Sequence, residues 1–280
     1  MNSELKGFCH PLSPEGRTQL VGDLPWHHSS AVMAINFKAD LAEIRKLLPE
    51  PYELSAEEPD GCSCWFGDWL SVWEGDKDLL VRNPERAQYK ECAIFVRCRV
   101  KGIEGVKCTY IWVDKDFSVL RGWFMGYPKI LGRVYIGHSN KGAFAVNPAF
   151  GEFGPGTRFG SFVESHGERV VYGSMKISKK ISQSELPPPF GSPRLNIIHF
   201  PSAYYDSQKP LLNQLIRVGS PDKKPTKYGE LWAGDAKDAT LVFTGSELDE
   251  HTALKPLEIT GAYYAEHGFT FKGNTLLQEL

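Results

Sequence analysis

No stretch of the 280-residue chain is long and apolar enough to form a membrane-crossing helix, and no block of like charge stands along it. Thirty-two basic side chains nearly balance thirty-four acidic ones, for a formal charge of −2, which argues against nucleic acid or an acidic membrane surface as partner. Cysteine is sparse and lopsided: Cys9, Cys62, Cys64, Cys92, Cys98 and Cys108 all precede the midpoint. The N-terminus, Met1-Asn2-Ser3-Glu4-Leu5-Lys6, lacks the basic and then apolar pattern of a signal peptide. These features predict a cytoplasmic protein with reduced thiols. Metal and nucleotide signatures are lacking too. Cys62-x-Cys64 is too closely spaced for a structural zinc pair, and no second pair completes one. Gly151-Glu152-Phe153-Gly154-Pro155-Gly156 fits neither the dinucleotide nor the Walker pattern, and Pro155 has no N–H to offer a phosphate. No metal and no other cofactor is expected.

What the chain does contain is short apolar alternation. With 41% hydrophobic and 24% charged residues it reads as globular. Residues 1–25 are rich in Gly, Pro and Ser and predict an irregular arm; residues 26–280 predict one domain. Strand patterns cover Ala31–Phe37, Cys62–Trp73 with a bulge near Gly67, and a hairpin of Tyr89–Val100 with Lys107–Val113. Further strands are expected at 134–137, 143–146, 158–163, 169–177, 194–200, 239–244 and 257–271, while 211–218 fits a strand or a short helix. Asp40 is placed to cap a helix over 41–48, with Glu43 completing a capping box and Pro49 and Pro51 ending it. The series predicts a mainly β protein, a single antiparallel β-barrel or cone with a few short helices.

On the strand from Tyr89, Glu91 shares a face with Ala93, Phe95 and Arg97, and Cys92, Ile94, Val96 and Cys98 share the other. A carboxylate on that face points into a cavity or pairs with a lysine at a barrel edge. The densest chemistry lies in Arg121-Gly122-Trp123-Phe124-Met125-Gly126-Tyr127-Pro128-Lys129-Ile130-Leu131-Gly132. A water-facing lysine is an ammonium at neutral pH and attacks nothing quickly, whereas apolar surroundings favour the free amine, which adds to ketones as a Schiff base. Pro128 and the flanking glycines restrict where Lys129 can point. Composition alone fits equally a lysine that snorkels to solvent.

Gly126-Tyr127-Pro128-Lys129, preceded by Val113-Asp114 and Gly122, resembles the segment around the Schiff-base lysine of the acetoacetate decarboxylase family. In family order follow resemblances at Leu48-Pro49-Glu50-Pro51-Tyr52-Glu53-Leu54, Tyr89-Lys90-Glu91, Gly191-Ser192-Pro193-Arg194 and Glu230-Leu231-Trp232-Ala233-Gly234, spanning about residues 28 to 265. The resemblance implies the same barrel, a homo-oligomer, and an imine on Lys129 with Glu91 as acid/base. It also implies substrate contacts from Arg194, Tyr127, Trp123, His28, Trp69 and Met125. Arg194 fits equally a structural role satisfying barrel carbonyls, and His27-His28 fits turn or core histidines that point to opposite faces. Tryptophans at 65, 69, 73 and 123 fall in segments placed near the pocket and hint at a bulky or aromatic substrate.

The chain departs from the family pattern where it matters. Ile130 replaces a second lysine, Gly122-Trp123-Phe124 replaces Gly-Arg-Glu, and an arginine expected ahead of the first helix falls at about Ser30. Acetoacetate decarboxylase is the standard example of a lysine activated by desolvation or a neighbouring cation; with Ile130, desolvation is left to do more. The expected function is a cofactor-free lyase that decarboxylates a ketone-containing acid, bulky or aromatic, through an imine on Lys129, its partners being that small-molecule keto acid and further copies of the same chain. The alternatives are an aldolase-dehydratase using the same imine on a 2-oxo acid, and a non-catalytic binding barrel in which Glu91 points away from Lys129.

Overall fold

Period-two alternation builds most of this molecule, as the computed structural model of residues 4–139, 141–207, 209–220 and 226–280 makes plain. The strands in chain order are β1 (Trp26–Lys38), β2 (Glu53–Leu54), β3 (Gly61–Trp73), β4 (Gln88–Val100), β5 (Ile103–Val113), β6 (Lys129–Leu131), β7 (Arg133–Ile136) and β8 (Arg158–Ser165). They continue with β9 (Glu168–Lys176), β10 (Lys179–Lys180), β11 (Leu195–Phe200), β12 (Leu212–Arg217), β13 (Lys227–Gly234), β14 (Thr240–Phe243), β15 (Glu258–Phe271) and β16 (Thr275–Glu279). Helices are short: α1 (Leu41–Lys46), α2 (Leu79–Arg82), α3 (Asp116–Phe124) and α4 (Lys141–Val146).

A large sheet runs β10-β13-β15-β1-β3-β4-β5-β6, with β2 beside β4; smaller sheets are β11-β12-β16 and β14-β9-β8-β7. Pairing is antiparallel except between β5 and β6, which run parallel with Ile111 opposite Lys129. That one parallel pair brings Lys129 into the large sheet from α3. The alternation on β3 and β4 divides two cores. Cys62, Cys64, Phe66, Cys92, Ile94 and Val96 pack on one side, toward the β14-β9-β8-β7 sheet. Trp65, Trp69, Ala93 and Phe95 pack on the other. Full burial of one such aromatic or aliphatic side chain contributes about 1.5–3 kcal/mol, so a one-residue slip of β3 or β4 would exchange the two faces at large cost. All six cysteines are buried with free thiols.

Several local expectations are corrected. β3 keeps continuous register with both β1 and β4 through Gly67, so there is no bulge; Trp65, Trp69 and Trp73 simply have the opposite parity from Cys62, Cys64 and Phe66. Residues 143–146 lie in helix α4 rather than a strand. Residues 212–217 form a strand, and β13 and β16 were not anticipated. Asp40 does cap α1, accepting from Ala42 N at 2.7 Å and Glu43 N at 3.3 Å, but the Glu43 side chain pairs with Lys46 instead of closing a box. Among the described residues ahead of β1 the β pairing is one isolated bridge, Lys6 with Ser13, and the segment lies on the body through Phe8, whose ring meets Trp26 and Phe124 edge-on.

Candidate active site

Helix α3 and the turn behind it aim the lysine. The helix ends at Met125, and Gly126 follows at φ +68°, a left-handed conformation that closes helices and that a side chain would strain. Space forbids one as well: a Cβ there would lie 2.9 Å from Asn196 Cβ. The Asn196 amide donates to Met125 O at 3.2 Å and accepts from Cys108 N at 3.2 Å, tying the turn to β5 and β11. Pro128 then delivers the chain into β6, with Lys129 buried at 6% exposure.

Lys129 Nζ donates to Glu91 Oε2 at 2.6 Å and to Ser118 Oγ at 3.1 Å, and lies 4.9 Å above the Tyr89 ring. Glu91 comes from the β4 face that it shares with Ala93 and Phe95, and it is buried and turned toward the lysine rather than away from it. Ser118, Arg121 and Gly122 stand at i, i+3 and i+4 on α3, one face of a helix. That face meets the lysine: Ser118 bonds its amine, and Gly122 leaves room for its stem, since a Cβ on Gly122 would lie 2.3 Å from Lys129 Cδ. Arg121, between them, is 2% exposed.

Lys129, Glu91, Tyr89 and Arg121 line a cavity of about 170 Å³. An apolar protein cavity of about 150 Å³ holds benzene, so this one has room for a small oxo acid with part of a ring. Aromatic walls come from Trp65, Trp69, Phe190 and Phe269. Among the described residues, Arg121, Lys129, Arg194 and Arg217 line it with one carboxylate, Glu91. Arg121 Nη1 donates to Ser71 Oγ, and the guanidinium stacks over Trp26 and Phe117 at 5.4 and 5.2 Å. Its Nε and Nη2 have no hydrogen-bond partner among the described residues. Burial lowers the Arg121 pKa to about 10, so the group stays cationic at neutral pH. Burial, then the charges of Arg121 and Lys129, hold His28 well below its usual range, and burial with Arg194 puts His267 at about 4; both rings are neutral. Burial raises the Tyr89 and Tyr127 phenols, so both are neutral hydrogen-bonding groups.

Of the site residues expected from sequence, Lys129, Glu91, Arg194, Tyr127, His28, Trp69 and Met125 all line this cavity. Trp123 does not. It is 45% exposed on the opposite side of α3, in a surface groove with His10, Leu120 and Leu131, and its indole N–H donates to Lys129 O at 3.0 Å. Trp73 packs beside Gly22 away from the cavity. Arg194 Nη1 donates to Pro189 O at 2.7 Å and Ser192 O at 2.9 Å, the carbonyl-satisfying role weighed above, while its plane lies over Trp65 and Phe95. Ser30, where an arginine was expected, faces His267 at 3.3 Å. The cation arrives instead from Arg121, which sequence reasoning left without a role although it opens the lysine segment. Ile130 is 44% exposed and faces away.

A β-walled cavity with a buried, paired lysine and carboxylate is the feature that the family comparison bears on. The chain belongs to the acetoacetate decarboxylase family, whose profile matches residues 9–280. No curated protein matches it in sequence. Among solved structures it resembles the enduracididine biosynthesis enzyme MppR complexed with pyruvate (26% identity, TM-score 0.85, 99% of each chain). It resembles equally MppR complexed with the condensation product of pyruvate and imidazole 4-carboxaldehyde (26%, TM-score 0.85, 98% of this chain and 97% of that one). An acetoacetate decarboxylase-like enzyme from Sphingomonas wittichii RW1 shares the fold at 23% identity and TM-score 0.84, over 98% of this chain and 100% of that one. Acetoacetate decarboxylase from Legionella pneumophila shares it at 15% and 0.74, over 100% and 98%.

Proposed function

We propose that this chain is an imine-forming aldolase-dehydratase that joins a 2-oxo acid to an aromatic aldehyde through Lys129. The observation that carries the reading is the Arg121 guanidinium, buried in the cavity wall with Nε and Nη2 unpartnered. Unpaired buried donors are costly, the more so on a charged group, and a carboxylate is the ligand that satisfies two of them at once. A clamp of this kind stabilises the carboxylate as an anion. It therefore opposes loss of carbon dioxide and suits a reaction that keeps the carboxylate. The likeness to MppR, whose structures hold pyruvate and a pyruvate–aldehyde condensation product, supports the same choice. The decarboxylation expected from the sequence would use the same lysine but has no use for a fixed carboxylate anchor.

The chemistry follows from the contacts. Glu91 takes a proton from Lys129 Nζ, the free amine adds to the C2 carbonyl, and Glu91 returns the proton as the carbinolamine hydroxyl leaves as water. The protonated imine is an electron sink. Glu91 then removes a C3 proton to give the enamine, whose C3 bonds to the aldehyde carbon, and the alkoxide takes that proton back. Loss of the second C3 proton with the new hydroxyl, as water, gives the conjugated imine, and hydrolysis restores Lys129. Trp65, Trp69 and Phe190 offer stacking faces to the aldehyde ring.

Borohydride trapping tests the reading. Incubation with pyruvate, alone and with benzaldehyde, followed by reduction and peptide mass spectrometry, is expected to give a pyruvyl adduct on Lys129 and then the condensed one, both lost in Lys129→Ala. A Lys129 adduct formed only from 3-oxo acids, with loss of carbon dioxide, would restore the decarboxylase. No adduct from any keto acid would overturn imine chemistry altogether.

A further inference from the structure

His28 is the one cavity-lining side chain that is more than nine-tenths buried and has no hydrogen bond from either ring nitrogen among the described residues. Its ring is held in place from two sides, stacked on Phe269 at 5.0 Å and edge-on to Trp69 at 6.3 Å. The neighbouring His27 is spent: its nitrogens meet Glu74 at 2.7 Å and Thr270 at 3.1 Å on the other face of β1. A buried imidazole with its N–H unsatisfied is unfavourable, and a ligand offering an oxygen to that N–H removes the cost.

We infer that His28 is a catalytic residue of the condensation, its N–H donating to the oxygen of the incoming aldehyde as the C3–C4 bond forms. The inference rests on the aldolase reading above. It adds a hydrogen-bond donor fixed on the oxygen of the second substrate, which Lys129 and Arg121 do not provide because they hold the first and Glu91 does not provide because it is moving the proton. The step needs no net proton transfer from His28: the aldehyde oxygen gains electron density as the enamine pair moves to C4, the N–H stabilises that charge, and Glu91 supplies the proton. A neutral imidazole suits this role, and burial first, with the neighbouring Arg121 charge second, keeps the ring from becoming a cation. The same N–H also explains why the polar ring stands within a wall of Trp69 and Phe269: the aldehyde ring stacks there while its oxygen reaches the nitrogen.

Two reactions of the intact protein separate this step from imine chemistry. Exchange of the pyruvate methyl protons in D₂O, followed by NMR, needs Lys129 and Glu91 but no aldehyde. Condensation with benzaldehyde, followed by the absorbance of the conjugated product, needs both substrates. In His28→Phe we expect condensation to fall about 100-fold, the usual cost of removing one donor to a developing oxyanion, while exchange falls no more than about threefold. His28→Asn, which keeps an N–H donor, recovers part of the loss. A fall in condensation that merely parallels the fall in exchange, or no fall at all, overturns the role of His28. Absence of exchange in the wild type overturns the imine reading first, and this inference with it.

Discussion

Glycine at position 122 is a sharp handle on the site, because it sits inside a helix where alanine would ordinarily be preferred. Gly122→Ala gains about 1 kcal/mol of helix propensity, since the residue has ordinary helical geometry in α3. Against that, the new methyl would lie 2.3, 2.6 and 2.8 Å from Cδ, Cγ and Cε of Lys129. Three successive stem carbons are met, so rotating the ammonium end does not relieve the clash and the whole side chain must leave its channel. Overpacking of this kind costs about 1–3 kcal/mol, so the net destabilisation is about 2 kcal/mol at most. The chemical cost is larger. Nζ is held at 2.6 Å from Glu91 and 3.1 Å from Ser118, and a displacement of about 1 Å at a reacting group can cost about 100-fold. The expected variant is folded, melts within a few degrees of the wild type, and forms the borohydride-trapped pyruvate adduct about 100-fold more slowly. Wild-type trapping rates in Gly122→Ala would refute the argument that this glycine exists to admit the lysine.

Arg121→Met should lower kcat/KM for pyruvate about 100-fold, corresponding to about 2–3 kcal/mol for a lost charge-assisted contact. It should also abolish the preference for pyruvate over its methyl ester; a variant that keeps that preference has its carboxylate anchor elsewhere. Trp123→Phe should leave KM for the aldehyde unchanged and cost about 1 kcal/mol in thermal unfolding through the lost bond to Lys129 O, whereas Trp69→Ala should raise that KM about tenfold. Burial lowers the pKa of His138 from its ordinary 6.5 to about 4. Above pH 6.5 the ring is neutral folded or unfolded; between 6.5 and 4 only the unfolded chain takes up the proton, so stability is lost as pH falls through that window. At about 1.4 kcal/mol per unit the loss from this residue reaches about 3 kcal/mol, and denaturant melts at pH 7 and 4.5 should show a smaller difference in His138→Asn than in the wild type.

Much of the site could be read locally. The parity of β4 put Glu91 on one face with Ala93 and Phe95, and the Gly126-Tyr127-Pro128-Lys129 segment marked the lysine that the structure buries, because both depend on neighbours within a few residues. Where the reading failed, it failed on α3. With no helix expected over residues 116–124, the sequence gives no reason to prefer Arg121 over Trp123. On a helix the two differ by about 200°, so only one can face the lysine. Which one does depends on how α3 docks against β4, a packing event between segments about thirty residues apart. The supposed strand at 143–146 erred similarly, since six residues of mixed apolar pattern fit either period and tertiary contacts decide.

The sequence by itself determined the strand periodicity, the two faces of β3 and β4, and the identity of the lysine, because alternation and turn chemistry act over short range. It also determined that adjacent His27 and His28 must diverge. Only the tertiary structure decided that His28 turns inward, that Ser30 is backed by His267, and that the cation in the cavity is Arg121 rather than a residue ahead of α1. Those assignments arise where β1, β4, β15, α3 and β6 converge, and no local pattern encodes which side chains meet across elements far apart in the chain.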